Sequence, residues 1–320
     1  MKITVLGAGA MGSIVGALLQ ASGEDVTLVA RGARAQLLRE QGVKVTGLTH
    51  VTAKVRVVDD PASLTETDAL IVCVKTYDTT AALAGLRNLR PAMALSMQNG
   101  VLKNDQLTAA FGPDATVGCT ADFSGEILPD GTALFTRNEM IYVGELSGGR
   151  SDRVDALVTA LLRAGIKATA SERIRTAEWS KFATWLGLMP VSVLSRLTTH
   201  RYTQDPDLAR LLVTLTKEAA SIAAALDIEL MDGGGLVIPK TLASAPLDEG
   251  VAMLQAVGRA MEANGITAHK MSALQDAERG RRLEVDETLG DALQRAAALG
   301  LPVPTLDACY RVLAGFNRNL

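Results

Sequence analysis

The first half of the chain alternates between two hydrophobic patterns. Short apolar runs at residues 3–6, 25–29, 68–74 and 92–97 predict buried strands. Apolar residues recur at helical spacing between these runs and predict helices at residues 10–21, 33–41 and 79–89. Strands that alternate with helices predict a mainly parallel, doubly wound sheet with right-handed crossovers.

Glycine and proline interrupt the pattern between residues 117 and 143. Gly125, Pro129-Asp130-Gly131 and Gly144 separate short extended pieces, which is typical of hairpins, so we expect this region to add antiparallel edge strands to the sheet. Further extended segments are predicted around a turn at Gly47, over residues 43–46 and 51–58. A helix at 151–164 and a strand at 166–170 complete this part.

Strand patterns nearly disappear after residue 170. Long helices are predicted instead, at residues 174–194, 208–226, 251–263, 283–299 and 305–316. A chain of 320 residues exceeds the usual size of one hydrophobic core. We therefore predict two domains, an α/β domain over residues 1–170 and an all-helical domain over residues 171–320.

Composition limits the classes of function. A net charge of −3 does not supply the positive field that nonspecific nucleic-acid binding requires, and no run reaches the roughly 18 apolar residues of a membrane span. Cys73, Cys119 and Cys309 are far apart and the three histidines are isolated, so we expect buried thiols, no metal site and a cytoplasmic location. The sequence leaves the oligomeric state open, with a homodimer as one option.

The segment Gly7-Ala8-Gly9-Ala10-Met11-Gly12 is a G-x-G-x-x-G motif. It follows a predicted strand, opens a predicted helix and lies in a β-α-β unit, which is the context of a Rossmann dinucleotide site. Gly7 would permit the tight turn, Gly9 the close approach of a pyrophosphate, and Gly12 helix packing, while the amides of Ala10 and Met11 open the helix toward the phosphates. A glycine turn that only packs well is the alternative.

The end of the second predicted strand indicates the cofactor. An NAD site usually has an acidic residue there, but this strand ends Val29-Ala30-Arg31. Arg31, with Arg34 nearby, offers a guanidinium that can stack on adenine and pair with a 2′-phosphate, so we predict NADP(H). A solvated loop arginine is the alternative.

Two further turns follow predicted strands. Lys75 comes directly after residues 68–74, and Asn99 comes just after residues 92–97. Ligands of doubly wound folds lie beyond the carboxyl ends of the strands, so both residues are candidates for a site. Either turn could also be a solvated loop.

Taken together, these motifs resemble the ketopantoate reductase family, whose members make pantoate for pantothenate and coenzyme A biosynthesis with NADPH. The likeness covers essentially the whole chain and is carried by residues 2–12, Arg31, Val74-Lys75-Thr76, Gln98-Asn99-Gly100, Glu178-Trp179-Ser180-Lys181, Ser272-Ala273-Leu274-Gln275-Asp276 and Glu284-Val285-Asp286. The resemblance implies a Rossmann domain followed by a helical domain similar to the C-terminal domain of 6-phosphogluconate dehydrogenase.

The resemblance also implies residue roles. Lys181 would be the general acid that protonates the carbonyl oxygen of a 2-oxo acid, and its charge would stabilise the developing alkoxide. Glu284 would hold a substrate hydroxyl or orient Lys181, and Ser272 would bind the substrate carboxylate. Asn99 and Lys75 would lie at the nicotinamide ribose and the substrate.

One departure bears on the substrate. The family usually has asparagines four and eight residues after the catalytic lysine, where this chain has Trp185 and Met189. Residues at this spacing share a helix face, so they would change one wall of the substrate pocket from amide to apolar and favour a less polar 2-oxo acid or ketone. Alternatively, both side chains pack in the core between the domains. A protein that binds NADP(H) without catalysis, such as a redox sensor, is the second functional hypothesis.

Overall fold

The computed structural model describes residues 1–233 and 238–320, and the chain forms two compact units. The first unit contains Met1–Gln98 and Lys103–Arg175, and the second contains Asn99–Leu102 and Thr176–Leu320. The strands are β1 (Lys2–Leu6), β2 (Asp25–Val29), β3 (Val43–Gly47), β4 (Val51–Ala53), β5 (Arg56–Val58), β6 (Glu66–Val72), β7 (Arg90–Ser96), β8 (Val117–Ile127), β9 (Ala133–Glu145) and β10 (Ala168–Ala170).

Helices connect these strands in the first unit and supply the regular structure described in the second. They are α1 (Ala10–Ala21), α2 (Gly32–Gln41), α3 (Thr79–Gly85), α4 (Leu102–Phe111), α5 (Asp152–Arg163), α6 (Ile174–Ser195), α7 (Thr199–Gln204), α8 (Pro206–Ala225), α9 (Pro239–Ser244), α10 (Leu247–Ala263), α11 (Ser272–Glu278), α12 (Asp291–Ala298) and α13 (Pro304–Asn317). Residues Asp286–Gly290 form a π-helix directly before α12.

The first sheet is parallel and has the strand order β5-β2-β1-β6-β7. Leu6 at the end of β1 pairs with Val29 on β2 and with Val72 on β6, and Val72 pairs with Ser96 on β7. The carboxyl ends of four strands therefore meet at one edge. The predicted Rossmann domain followed by a helical domain is confirmed as the fold class.

The long hairpin β8–β9 does not extend the first sheet, so this part of the prediction was wrong. It belongs to a second sheet of order β10-β9-β3-β4, in which β8 pairs with β9. The predicted extended segment 51–58 is likewise divided, because β4 joins the second sheet and β5 the first. The reason is α1, which is buried from Gly12 to Leu19 and needs apolar cover on more than one side.

The second unit has its own apolar core, formed mainly by α6, α8 and the segments after residue 282. The pattern predicted as one helix over 283–299 contains the π-helix and α12. A π-helix adds a residue to one turn and is often found at functional sites. In the described part of the chain, no helix is both long and apolar enough to span a membrane.

Candidate active site

The turn after β1 has the geometry of a dinucleotide cradle. Gly7 has φ of +103°, and a Cβ there would lie 2.7 Å from Val74 Cγ1. A Cβ on Gly12 would overlap the Gly7 carbonyl oxygen, so α1 approaches the turn only because residue 12 has no side chain. A Cβ on Gly9, in contrast, would meet no atom within 4 Å. That open space is where a pyrophosphate would approach the backbone.

Gly9 is also the N-cap of α1, and no side chain caps this helix. The first turn, which begins at Ala10 and Met11, carries no acidic residue. Amides at a helix N-terminus bind anions, and an acidic side chain there would compete with a phosphate. The residues present therefore fit the pyrophosphate of a dinucleotide such as NAD(P)(H).

A cavity of about 540 Å³ lies in front of this turn, within the first unit. Besides the glycine turn, it is lined by Val29, Ala30, Arg31, Arg34, Val74, Asp78, Ala81, Ala82 and Ile127. The walls thus come from the ends of β1 and β2, from α3 and from the hairpin. This cavity can hold the adenosine and pyrophosphate groups of a dinucleotide.

The two arginines of the cavity have different surroundings. Arg31 is exposed, and its guanidinium forms no hydrogen bond or ion pair with the described residues. The Arg34 side chain is half-buried and donates three hydrogen bonds to the protein, and burial lowers the pKa of its guanidinium. Of the two, Arg31 is the guanidinium left for a ligand.

Gln98 joins the two turns that follow β6 and β7. Its side-chain Nε2 donates to the Val74 carbonyl and to Thr79 Oγ1, both at 2.7 Å. Its Oε1 accepts a hydrogen bond of 2.8 Å from Ser96 Oγ. The side chain is buried and its hydrogen bonds fix the turn bearing Lys75, which is exposed, relative to the strand end that precedes Asn99.

Lys103 supports this arrangement, and sequence reasoning missed it. It is 3% exposed, and its Nζ donates to the carbonyls of Gln98 (3.0 Å) and Cys119. A buried ammonium requires such acceptors. The available signal was the position of Lys103 four residues before the fully buried Leu107, which places a lysine on the apolar face of α4.

In the second unit, three distant segments meet around Gly100. A Cβ on Gly100 would lie 3.4 Å from the Glu287 carbonyl oxygen and from Thr288 Cγ2, and 3.8 Å from Phe182 Cε2. Phe182 follows Lys181 on α6, and Thr288 Oγ1 donates to the carbonyl of Glu284. The fold therefore brings together the segments that carry Asn99, Lys181 and Glu284. The side chains of all three are partly buried.

The other predicted substrate residues have different surroundings. Trp185 and Met189 lie in the apolar core of the second unit, 7% and 0% exposed, and the buried Trp185 Nε1 has no hydrogen-bond partner in the described chain. Ser272 is an exposed residue that begins α11, and its hydroxyl bonds to no described residue. The described residues contain no group of three or more His, Cys, Asp or Glu placed to hold a metal ion.

A second carboxyl group lies on the π-helix. Glu287 Oε1 is 3.4 Å from Arg282 Nη2, while the buried Oε2 forms no hydrogen bond with the described residues. Burial raises the pKa of Glu287, Arg282 lowers it, and the charges of Asp286 and Glu284 raise it. Glu284 and Glu287 are therefore close enough to interact electrostatically.

Family models match both parts of the chain. The model described as ketopantoate reductase PanE/ApbA matches residues 3–148, and its C-terminal counterpart matches residues 173–317. A 2-dehydropantoate 2-reductase of Archaeoglobus fulgidus is 27% identical, covering 100% of this chain and 99% of the relative. One of Pyrococcus horikoshii is 27% identical over 95% of this chain and 93% of its own.

Solved structures share the fold. The 2-dehydropantoate 2-reductase of Methylococcus capsulatus has a TM-score of 0.80 and 26% identity, covering 100% of this chain and 97% of its own. D-mandelate dehydrogenase, solved with NADH and anilino(oxo)acetate, has a TM-score of 0.83 and 20% identity, covering 100% and 99%. The chain is accordingly an oxidoreductase that acts on a CH–OH group, and it belongs to the ketopantoate reductase PanE/ApbA family.

Proposed function

We propose that the protein is an NADPH-dependent reductase of a 2-oxo acid, either 2-dehydropantoate or a related, less polar 2-oxo acid or ketone. The observation that carries this proposal is the meeting of three segments at Gly100, one next to each of Asn99, Lys181 and Glu284. Three residue types suited to carbonyl reduction thereby belong to neighbouring segments of one unit.

The bound nicotinamide supplies a hydride to the carbonyl carbon. In the proposed mechanism, the Lys181 ammonium donates a proton to the carbonyl oxygen and stabilises the negative charge that forms there. Glu284 accepts a hydrogen bond from a substrate hydroxyl or orients Lys181, and Ser272 binds the substrate carboxylate. Asn99 and Lys75 bind the nicotinamide ribose and the substrate.

The preference for NADPH is proposed from the cavity in the first unit. Arg31 lies at the end of β2, where an NAD site usually has a carboxylate, and its guanidinium has no partner among the described residues. A planar guanidinium can pair with a 2′-phosphate through two hydrogen bonds.

Two classes of substrate fit the proposed reaction, ketopantoate and a less polar 2-oxo acid or ketone. Several relatives are named 2-dehydropantoate 2-reductase, which favours ketopantoate. Trp185 and Met189 occur where the family usually has asparagines, which favours a less polar substrate. D-mandelate dehydrogenase, which shares the fold, was solved with NADH and anilino(oxo)acetate, so the fold does not exclude bulky ligands.

The test is NADPH oxidation with a panel of 2-oxo acids that includes ketopantoate, branched aliphatic and aryl members. We expect turnover with at least one acid, and a loss of kcat of roughly 10²-fold or more in Lys181→Ala, because the proton donor is removed. Lys44→Ala, an exposed lysine that bonds to Gln41, is the matched control and should keep wild-type kcat. Tight NADPH binding without turnover on any acid would instead support a non-catalytic redox sensor.

A further inference from the structure

One guanidinium links three separate segments around the glycine turn. Arg34 Nε donates to the Ala8 carbonyl at 3.0 Å, Nη2 donates to Ser13 Oγ at 2.8 Å, and Nη1 donates to the Gly131 carbonyl at 2.6 Å. Ala8 lies inside the glycine motif, Ser13 lies on α1, and Gly131 lies in the turn between β8 and β9. Arg34 thus holds the dinucleotide turn against both the helix it opens and the hairpin of the second sheet.

The bond to Ala8 has a direct consequence for the next amide. In a trans peptide the carbonyl of Ala8 and the N–H of Gly9 point in opposite directions. Ser13 Oγ also donates to the Ala8 carbonyl, at 3.1 Å, so two donors fix the orientation of that peptide plane. The Gly9 N–H forms no hydrogen bond within the described residues, which leaves it for a phosphate oxygen.

The hairpin is held by the same side chain. Gly131 has φ of +85°, and a Cβ there would lie 3.2 Å from Arg34 Nη1, so the turn packs tightly on the guanidinium. Ile127, four residues earlier on the hairpin, lines the cavity and is 37% exposed. Arg34 therefore also fixes the hairpin that supplies this apolar wall.

We propose that Arg34 is a positioning residue of the dinucleotide site, which acts through the Ala8 carbonyl and the hairpin rather than by pairing with the 2′-phosphate. The Arg34 guanidinium donates to three protein acceptors that lie in different directions. The Arg31 guanidinium, in contrast, donates to no acceptor among the described residues. The inference rests on the nicotinamide dinucleotide binding of the proposed function and is independent of the substrate.

The two roles predict different cofactor dependence. NADPH and NADH share the pyrophosphate that the glycine turn binds and differ only at the 2′-phosphate. Loss of a positioning residue should therefore weaken both cofactors by the same factor. Loss of a phosphate-pairing arginine should weaken NADPH alone, and a lysine should restore part of that affinity because it retains the charge.

The experiment measures the Kd of NADPH and of NADH without substrate, for wild type, Arg34→Met, Arg34→Lys and Ser13→Ala. Arg34→Met should raise both Kd values by roughly 10-fold or more, because bonds from a charged donor are lost. Arg34→Lys should not restore binding. Ser13→Ala should raise both by about 3-fold, although Ser13 is fully buried and does not line the cavity.

Two further variants separate a positioning role of Arg34 from direct pairing with the 2′-phosphate. Arg39→Met removes an exposed arginine of the same helix that pairs with Asp59, and it should leave both Kd values unchanged. Arg31→Ala should raise the Kd of NADPH alone. In steady state, Arg34→Lys should raise the cofactor KM while kcat at saturating cofactor stays near wild type.

An NADPH-selective loss in Arg34→Met, or recovery in Arg34→Lys, would overturn the inference. If Arg34→Met does not fold, Arg34→Lys decides: wild-type affinity for both cofactors refutes the role, and an equal loss for both cofactors supports it. Wild-type protein that bound neither dinucleotide would refute the proposed function together with this inference, whereas binding without turnover would refute only the proposed reaction.

Discussion

The side-chain amide of Gln98 donates a hydrogen bond of 2.7 Å to the carbonyl of Val74, across the carboxyl ends of β6 and β7. Val74 in turn packs against Gly7, so Gln98 links the turn after β7, through the turn after β6, to the glycine motif. Within the first unit, the ends of β6 and β7 and the glycine motif therefore form one hydrogen-bonded and packed edge.

We expect Gln98→Leu to lower the free energy of unfolding by about 2–4 kcal/mol, because it leaves buried acceptors and donors at Val74, Thr79 and Ser96 without their partner. Chemical denaturation monitored by circular dichroism measures this change. Gln106→Leu is the control, since its amide makes only an exposed bond of 3.4 Å to Thr80 and should cost less than about 0.5 kcal/mol. Equal stabilities of the two variants would contradict the prediction.

Gly9 and Gly12 are expected to respond differently to alanine. Gly9 has φ of −69° and open space at its Cβ position, so Gly9→Ala should change the free energy of unfolding by no more than about 0.5 kcal/mol. It should nevertheless weaken dinucleotide binding by roughly 10-fold or more, because a methyl group would occupy the pyrophosphate position. Isothermal titration with each cofactor measures the loss.

Gly12→Ala should instead destabilise the fold by about 2–4 kcal/mol, since the methyl group would overlap the Gly7 carbonyl and approach Cys73 Cβ to 3.2 Å. Thermal unfolding of the two variants without cofactor separates the effects. The assignment of the turn fails if Gly9→Ala binds NADPH and NADH as tightly as wild type.

Sequence periodicity was sufficient for the parallel sheet, because buried strands and amphipathic helices differ in their local repeat. It could not assign β8 and β9 to a second sheet, since strand partners are set by what covers α1 and not by the hairpin's own residues. Part of the candidate site could likewise be predicted from local sequence patterns. The glycine motif carries its own geometry, but the acceptor of Arg34 at Gly131 lies 97 residues away, and no local pattern encodes that bond.

In the second unit, too, local periodicity could not predict every structural feature. The apolar pattern of residues 283–299 predicted a helix, yet it could not indicate that Asp286–Gly290 forms a π-helix, because one extra residue in a turn barely changes the periodicity. That segment packs on Gly100, a contact between residues almost two hundred positions apart. Lys181 itself was singled out only through the family resemblance.

The proposed pairing of Arg31 with the 2′-phosphate can be tested through the preference between NADPH and NADH. Arg31→Ala should raise the Kd of NADPH by roughly 10-fold to 100-fold and leave that of NADH within about 2-fold, because only NADPH carries the 2′-phosphate. Fluorescence titration of the reduced nicotinamide measures both values. Arg56→Ala is a suitable control, since it removes an arginine of β5, the strand that pairs with β2, and this arginine does not line the cavity. A wild-type protein that already prefers NADH would show that the assignment of Arg31 is wrong.

Glu287 should make stability depend on pH. Its pKa in the folded protein is raised, chiefly by burial, so the folded state retains a proton that the unfolded state has lost. The stabilisation that the protonated form gives is fully present below the unfolded-state pKa and decreases as pH rises through the folded-state value. Glu287→Gln cannot lose a proton and should therefore be more stable than wild type at neutral pH.

This difference between Glu287→Gln and wild type should shrink as pH falls below about 4.5, where Glu287 is protonated in both states. Denaturation midpoints across the acidic and neutral range measure it. Asp59→Asn serves as a contrast, because the pKa of exposed Asp59 is lowered by its bond to Arg39 and its stabilising effect is lost on acidification instead. A pH-independent difference between Glu287→Gln and wild type would mean that the pKa of Glu287 is the same in the folded and unfolded protein, and would contradict the prediction.

Substitutions at Trp185 and Met189 test whether the protein prefers ketopantoate or a less polar 2-oxo acid. If they line the pocket, replacing both with asparagine should raise kcat/KM for ketopantoate relative to aryl 2-oxo acids, because amides could then bind its polar groups. Met189 is fully buried, so Met189→Asn should also lower the free energy of unfolding by about 3 kcal/mol, and Trp185→Asn alone is the cleaner variant.

Trp185→Phe keeps most of the volume and removes the buried N–H that has no partner in the described chain. We expect Trp185→Phe to fold as stably as wild type, so a selective rise in KM for the preferred acid would identify that N–H as a substrate donor. Specificity that is unchanged in all of these variants would place both side chains in the core alone.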